Sequence, residues 1–150
     1  MKLLILNGPN LNLLGKREPQ IYGHETYDDL VDYCGLCGME FGVELEVLQS
    51  NHEGILIDLL QDAEEEGFAG VVLNAAGYTH TSIALMDTIK AISIPVVEVH
   101  LSNIMEREEF RHTSYIGKAC VASFMGEGFA GYRRAIEFLV GDRRPESSLN

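Results

Sequence analysis

Two residues that can exchange protons, Glu98 and His100, stand two positions apart in the segment PVVEVH. Alternate residues of a β-strand share a face, so this spacing places the carboxylate beside the imidazole. A neighbouring carboxylate fixes the tautomer of a histidine and stabilises its protonated form, which suits His100 to act as a general acid. A structural Glu–His pair at a strand end is an equally good interpretation of these two residues alone.

A second group of reactive side chains lies in the segment GKREPQIYGH, where Lys16 and Arg17 shortly precede Tyr22. This segment belongs to a loop of 18 residues, 8–25, after the first predicted strand. Connections of this kind usually have two to six residues, and long ones are either functional or disordered. The prolines and Tyr22 favour a loop that orders around a ligand. The loop has neither glycine-rich phosphate-binding motif, which argues against nucleotides and flavins.

Three further polar positions are weaker candidates. Residues 101–103 resemble an anion-binding turn, in which Ser102 offers a hydroxyl and backbone N–H groups, although a helix N-cap is the simpler interpretation. His80 can donate to a ligand or contribute to a helix cap. Arg111 can clamp an oxyanion or remain in solvent beside neighbouring glutamates.

The elements that must position these residues follow from an alternation of short apolar runs with helical patterns. The runs predict strands over 2–7, 70–75, 95–100 and 119–125, and alternating apolar and acidic residues predict another over 43–48. Thr26, Ser50 with Glu53, and Ser82 have the positions of helix caps between them. The pattern predicts an α/β fold, a flavodoxin-like three-layer sandwich with a five-stranded parallel sheet in the order 2-1-3-4-5.

In an open parallel sheet, ligands bind at the carboxyl ends of the strands. Asn10 follows the first predicted strand, Asn74 lies at the end of the third, and Glu98 and His100 end the fourth, so we expect all of them at one rim of the sheet. The helix after Ser82 is expected to bury one face, formed by Ile83, Met86 and Ile89 with Ala84 and Ile92.

Length and charge restrict the function. The chain has 150 residues and a net charge of −12, with 11 Lys and Arg against 23 Asp and Glu. We expect one catalytic domain over 1–140 and a polar tail over 141–150. The charge repels nucleic acid and anionic membranes, so neither is an expected partner. The sequence lacks a signal-peptide core or an apolar run long enough to cross a membrane, which predicts a cytoplasmic location.

The three cysteines, Cys34, Cys37 and Cys120, are expected to be free thiols in that compartment. Cys34 and Cys37 have the C-x-x-C spacing of redox sites, but they fall late in a helical pattern rather than at a helix N-terminus, where thiols are activated. Core packing is the favoured interpretation. The spacing also lacks the second ligand pair of a zinc site.

Taken together, several blocks resemble the type II 3-dehydroquinate dehydratases over almost the whole chain, to about Leu139. The blocks are NGPNLNLLGKREPQIYG, SNHEG, NAAGYTHTSIAL, PVVEVHLSN and REEFRHTSY. The resemblance implies reversible dehydration of 3-dehydroquinate to 3-dehydroshikimate in the shikimate pathway, with no metal and no organic cofactor. It also implies a homododecamer built from four trimers.

The resemblance also assigns roles. Tyr22, with its pKa lowered by Arg17, would remove a proton to give an enolate, and Asn10 would help position the water that stabilises it. His100, oriented by Glu98, would protonate the departing hydroxyl in an anti elimination. The remaining assignments are substrate-binding residues: Asn74, His80, Leu101, Ser102 and Arg111, with Asp87 reaching the site of a neighbouring subunit.

Three features depart from the usual family pattern and fall outside the assigned residues: Gln49, Met105 and the segment CGLC, 34–37, in the first predicted helix. The other class of this enzyme uses a Schiff-base lysine, but no lysine here lies within a predicted buried strand core. A flavodoxin-like electron carrier and a non-catalytic anion-binding module remain as alternatives, because the architecture alone permits both.

Overall fold

The computed structural model describes residues 1–16 and 18–143, without the side chains of 21, 22, 142 and 143. Its centre is a parallel sheet of five strands in the order β2-β1-β3-β4-β5, which confirms the predicted topology. The strands are β1 (Lys2–Asn7), β2 (Glu44–Gln49), β3 (Gly70–Asn74), β4 (Val96–His100) and β5 (Ala122–Met125). Residues 144–150, most of the predicted tail, lie outside the described part of the chain.

Helices cover both faces of the sheet. They are α1 (Pro19–Tyr22), α2 (Tyr27–Phe41), α3 (Glu53–Glu65), α4 (Ile83–Ala91) and α5 (Ala130–Arg143). Residues of α2 and α5 form one hydrophobic core with one face of the sheet, and residues of α3 and α4 form a second core with the other face. β1, β3 and β4 are therefore covered on both sides, which explains their continuous apolar sequences.

Local signals locate two of the three predicted caps. Thr26 and Asp29 form a reciprocal capping box at the start of α2, and the Ser82 hydroxyl accepts the N–H of Leu85 at the start of α4. The predicted box of Ser50 with Glu53 is wrong, because α3 begins after His52. The Ser50 hydroxyl accepts the N–H of His52 instead.

The buried face of α4 also differs from the prediction. Leu85, Thr88 and Ile89 are buried, whereas Ile83 is 53% exposed and Ala84 is also exposed. Apolar residues occupy most of the circumference of this short helix, so periodicity alone does not select a face. The last helix ends at Arg143, three residues beyond the predicted boundary at 140.

The long first loop contains regular structure. A 3-10 turn spans Leu11–Leu13 and α1 spans Pro19–Tyr22. Leu11 and Leu14 are buried in the core formed with α2 and α5, so they anchor the first half of the loop to the domain.

Cys34 and Cys37 lie within α2, and both are buried free thiols. Burial raises the pKa of Cys34 to about 12, which keeps this thiol neutral and unreactive at neutral pH. These properties fit core packing and not redox chemistry. In residues 1–16 and 18–143, no helix is both long and apolar enough to cross a membrane.

Candidate active site

The carboxyl ends of β1, β3 and β4 surround a cavity of about 220 Å³. The residues that line it come from these strand ends and the turns that follow them: Asn10, Leu11, Asn74, Ala76, Gly77, His80, His100, Leu101, Ser102, Ile104, Arg107 and Arg111. Seven of the residues assigned from the sequence line the cavity, so the predicted rim is the location of the cavity.

The Glu98–His100 pair is formed as the strand spacing predicts. His100 Nε2 lies 2.7 Å from Glu98 Oε2, and both side chains are almost fully buried. A carboxylate can only accept, so Nε2 carries a proton and Nδ1 is the ring nitrogen left for other chemistry. His100 lines the cavity, whereas Glu98 lies behind it.

Two serines also donate to the Glu98 carboxylate, one to the oxygen that His100 contacts and one to the other oxygen. Ser114 Oγ donates to Oε2, and Ser123 Oγ donates to Oε1 over 2.6 Å. Burial by itself raises the pKa of Glu98, but the hydrogen bonds and charge of His100 and the two serine hydroxyls outweigh it, so the pKa lies below its ordinary value. Glu98 is therefore ionised at neutral pH and holds His100 in one orientation.

His80 faces His100 across the cavity, with the ring centroids 6.5 Å apart. Its Nδ1 donates to the carbonyl oxygen of Thr113 over 2.9 Å, so Nε2 of the neutral ring is free to accept. Burial lowers the pKa of His80, with smaller contributions in the same direction from His100 and Arg111, against the opposing effect of the Thr113 hydrogen bond. His80 is thus a neutral polar group at neutral pH.

Asn74, at the end of β3, has both ends of its amide engaged. Its Oδ1 accepts the N–H of Ala76 over 3.1 Å, and its Nδ2 donates to the hydroxyl of Tyr132 over 2.9 Å. Ala76 has a φ of 50°, in the left-handed region that non-glycine residues rarely adopt. This backbone conformation stores local strain beside the site.

One end of the cavity has the groups of an anion site. The backbone N–H groups of Leu101 and Ser102 donate to no other residue in the described part of the chain. Arg107 Nη1 lies 3.4 Å from Ser102 Oγ, and the Arg107 side chain is only 11% exposed. Arg111 Nε donates to Glu108 over 2.9 Å at the cavity wall. These donors supply the local positive potential that an anionic ligand needs in an acidic protein.

The base of the first loop is built against β2 and β3. Gly8 approaches β3 so closely that an added Cβ would lie 2.6 Å from the carbonyl oxygen of Ala75. Asn10 adopts a left-handed φ of 69°, and its N–H donates to Asn51 Oδ1. Gln49, one of the three departures from the family pattern, donates to the same Oδ1 and to the carbonyl of Gly8. Gln49 therefore shares the Asn51 oxygen with Asn10, which lines the cavity.

Four assigned residues are not among the described residues that line the cavity, and one of them is Glu98, which lies behind it. Arg17 and the side chain of Tyr22 lie outside the described part of the structure, so their positions stay predictions. Asp87 is exposed on α4 and does not line the cavity of its own subunit.

Residues 1–140 match the family described as Dehydroquinase class II. The chain belongs to the class II dehydroquinase family. It is 54% identical to a 3-dehydroquinate dehydratase of Corynebacterium glutamicum strain R over 139 residues, which cover 93% of this chain and 95% of the relative. A 3-dehydroquinate dehydratase of Bradyrhizobium is 53% identical over 138 residues, 92% of this chain and 85% of the relative.

Solved structures agree with this class II dehydroquinase assignment. The type II dehydroquinase of Butyrivibrio crossotus matches with a TM-score of 0.91 and 46% identity over 93% of this chain and 97% of that one. The type II dehydroquinase of Propionibacterium acnes matches with a TM-score of 0.90 and 40% identity over 94% of this chain and 97% of that one.

Sequence reasoning missed several residues that shape this class II dehydroquinase site. Arg107 begins the block REEFRHTSY, in which only Arg111 received a role, although the same argument about a cation near an anion site applied to both. Ser114, Ser123 and Tyr132 offered no local signal, because each contacts a partner far away in the sequence.

Proposed function

We propose that this chain dehydrates 3-dehydroquinate to 3-dehydroshikimate by an anti elimination through an enolate. As a class II dehydroquinase it is a hydro-lyase, a 3-dehydroquinate dehydratase of the shikimate pathway. The observation that supports the mechanism most directly is the buried, ionised Glu98 bonded to His100 at the wall of a small polar cavity. We assign the catalytic unit to residues 1–140.

His100 is the general acid in this proposal. The Glu98 carboxylate stabilises the imidazolium, and Nε2 is occupied by that contact. The proton delivered to the departing C1 hydroxyl therefore leaves from Nδ1. When it leaves, the neutral ring keeps its proton on Nε2 and its hydrogen bond to Glu98, so the orientation of the ring is unchanged through the step.

Tyr22 is the proposed base, and Arg17 the residue that activates it. A phenol with a pKa of about 10 is only about one part in a thousand ionised at pH 7. Lowering that pKa to about 7 requires about 4 kcal/mol, which a close guanidinium in a partly desolvated site can supply. The tyrosinate takes the C2 proton, and the electron pair of the C–H bond forms the enolate.

The anion site is the proposed position of the substrate carboxylate. The N–H groups of Leu101 and Ser102, which donate to no other described residue, and the Ser102 hydroxyl support this assignment, and Arg107 adds positive charge beside that hydroxyl. Asn74, His80 and Arg111 would bind ring oxygens, and Asn10 would position the water that stabilises the enolate. At about 220 Å³ the cavity is smaller than typical drug-sized sites of about 300–1,000 Å³, as a single-ring substrate requires.

Each proposed step is assigned to a group of the chain or to water, so the mechanism needs neither a metal nor an organic cofactor. We further propose a homododecamer of four trimers, in which Asp87 contacts the site of a neighbouring subunit. The exposed position of Asp87 on α4 is compatible with such a contact.

The test is a continuous ultraviolet assay of the conjugated enone product, with chelator-treated protein and with protein pretreated with borohydride. We expect turnover to survive both treatments. Tyr22→Phe and Arg17→Ala should each lower kcat by at least about a hundredfold, with KM within about threefold, because they remove base catalysis and leave the binding groups in place. Folded, assembled wild-type protein without turnover would contradict the dehydratase; near-normal turnover of Tyr22→Phe would remove tyrosinate from the mechanism.

A further inference from the structure

Three hydrogen-bonded side chains lie beneath the cavity, on the face of the sheet covered by α2 and α5. Asn7 and Asn74 are register partners at the ends of β1 and β3. Tyr132, on α5, has its hydroxyl between them: Asn74 Nδ2 lies 2.9 Å from it and Asn7 Oδ1 lies 2.7 Å from it. All three side chains are buried, and Tyr132 has no exposed surface.

The N–H of Ala76 fixes the donor and the acceptor of each hydrogen bond in this series. It can only donate, so the amide atom that it meets is the oxygen of Asn74. Nδ2 must then be the atom that faces Tyr132, and it donates one of its two protons to the hydroxyl. The hydroxyl donates its own hydrogen bond to Asn7 Oδ1. Burial raises the pKa of Tyr132, so the phenol keeps that proton.

We propose that Tyr132 is a positioning residue for the dehydration: its hydroxyl holds the amide of Asn74 so that the second Nδ2 proton is available to a ring oxygen of the substrate. The inference rests on the proposed function, in which Asn74 binds such an oxygen. Asn74 lines the cavity, whereas Tyr132 lies outside its lining and acts through Asn74. Without the hydroxyl, Nδ2 loses its buried acceptor, and the N–H of Ala76 alone restrains the terminal torsion of the amide.

A double-mutant cycle tests the proposal, with kcat and KM for 3-dehydroquinate measured for wild type, Tyr132→Phe, Asn74→Ala and the double variant. We expect Tyr132→Phe to raise KM about five- to tenfold, the effect of one hydrogen bond, with kcat within about threefold. In the Asn74→Ala background the same substitution should change nothing further.

Two controls separate this role from a general effect on the core. Tyr33→Phe removes a hydroxyl from a tyrosine that packs against the same core but does not belong to the Asn74 chain, and its kinetics should equal those of wild type. Asn7→Leu removes the acceptor at the far end of the chain and should raise KM about threefold, a test that remains if Tyr132→Phe does not fold.

An unchanged KM in Tyr132→Phe, or an undiminished effect in the Asn74→Ala background, would overturn the positioning role while the dehydratase stands. If Tyr132→Phe is unfolded, an unchanged KM in Asn7→Leu overturns it. Wild-type protein without turnover would overturn the proposed function and this inference together.

Discussion

At the scale of single residues, the site depends on the space around the Glu98 carboxylate. A Cβ added at Gly117 would lie 2.6 Å from Glu98 Oε1 and 2.9 Å from Ser114 Oγ. Gly117→Ala must therefore displace the carboxylate and misalign His100, and we expect kcat to fall about 10- to 100-fold. Steady-state kinetics measure this directly.

The matched control is Gly35→Ala, because a Cβ at Gly35, inside α2, meets nothing within 4 Å. That variant should keep wild-type kinetics and gain about 0.5–1 kcal/mol in the free energy of unfolding. A normal kcat in Gly117→Ala would show that the position of Glu98 does not limit turnover.

The ionisation of Glu98 also makes stability depend on pH. Burial opposes ionisation, but the contacts with His100, Ser114 and Ser123 outweigh it, so the folded-state pKa is below the unfolded value of about 4.3. The stabilisation is then complete above about pH 4.3 and is lost as the pH falls from there through the folded-state pKa. Urea unfolding between pH 3 and 7 should show that the free energy of unfolding falls less at low pH in Glu98→Gln than in wild type. The same pH dependence in both proteins would show that the ionisation of Glu98 does not cause the loss of stability in acid.

At the scale of elements, the start of α2 rests on a reciprocal pair of hydrogen bonds. Thr26 Oγ1 accepts the N–H of Asp29 over 3.2 Å, and Asp29 Oδ2 accepts the N–H of Thr26 over 2.9 Å. Thr26→Ala should lower the free energy of unfolding by about 1 kcal/mol, measured by urea denaturation. Thr26→Ser keeps the hydroxyl and should lie close to wild type; equal losses in both variants would mean that the cap is not responsible.

Elements whose signal is local were predictable, and contacts between distant segments were not. β1, β3 and β4 follow from continuous apolar runs, the strand order follows from the alternation of strands and helices, and the Glu98–His100 pair follows from the two-residue period of β4. The buried face of α4 does not, because packing against α3 and the sheet selects it. The partners of Glu98 are 16 and 25 positions away, and Tyr132 is 58 positions from Asn74, so only the folded chain reveals them.

At the scale of the whole molecule, the net charge of −12 opposes the approach of an anionic substrate, while Arg107 and Arg111 attract it locally. Charges spread over the surface act from beyond about 8 Å, the screening length at 0.15 M salt, whereas the arginines act at contact distance. Raising the ionic strength from about 0.01 to 0.15 M should therefore weaken the repulsion more than the attraction. We expect kcat/KM for 3-dehydroquinate to rise about two- to threefold over that range.

Arg111→Gln separates the two contributions. It removes one local cation from the cavity wall and leaves the distant surface charges unchanged, so kcat/KM should be lower at every ionic strength and should still rise with salt. Repeating the series with a second monovalent anion in place of chloride distinguishes screening from competition at the anion site. A fall of kcat/KM with both salts in the wild type would show that the arginines outweigh the field of the whole molecule even at a distance, so that the acidic surface plays no part in substrate encounter.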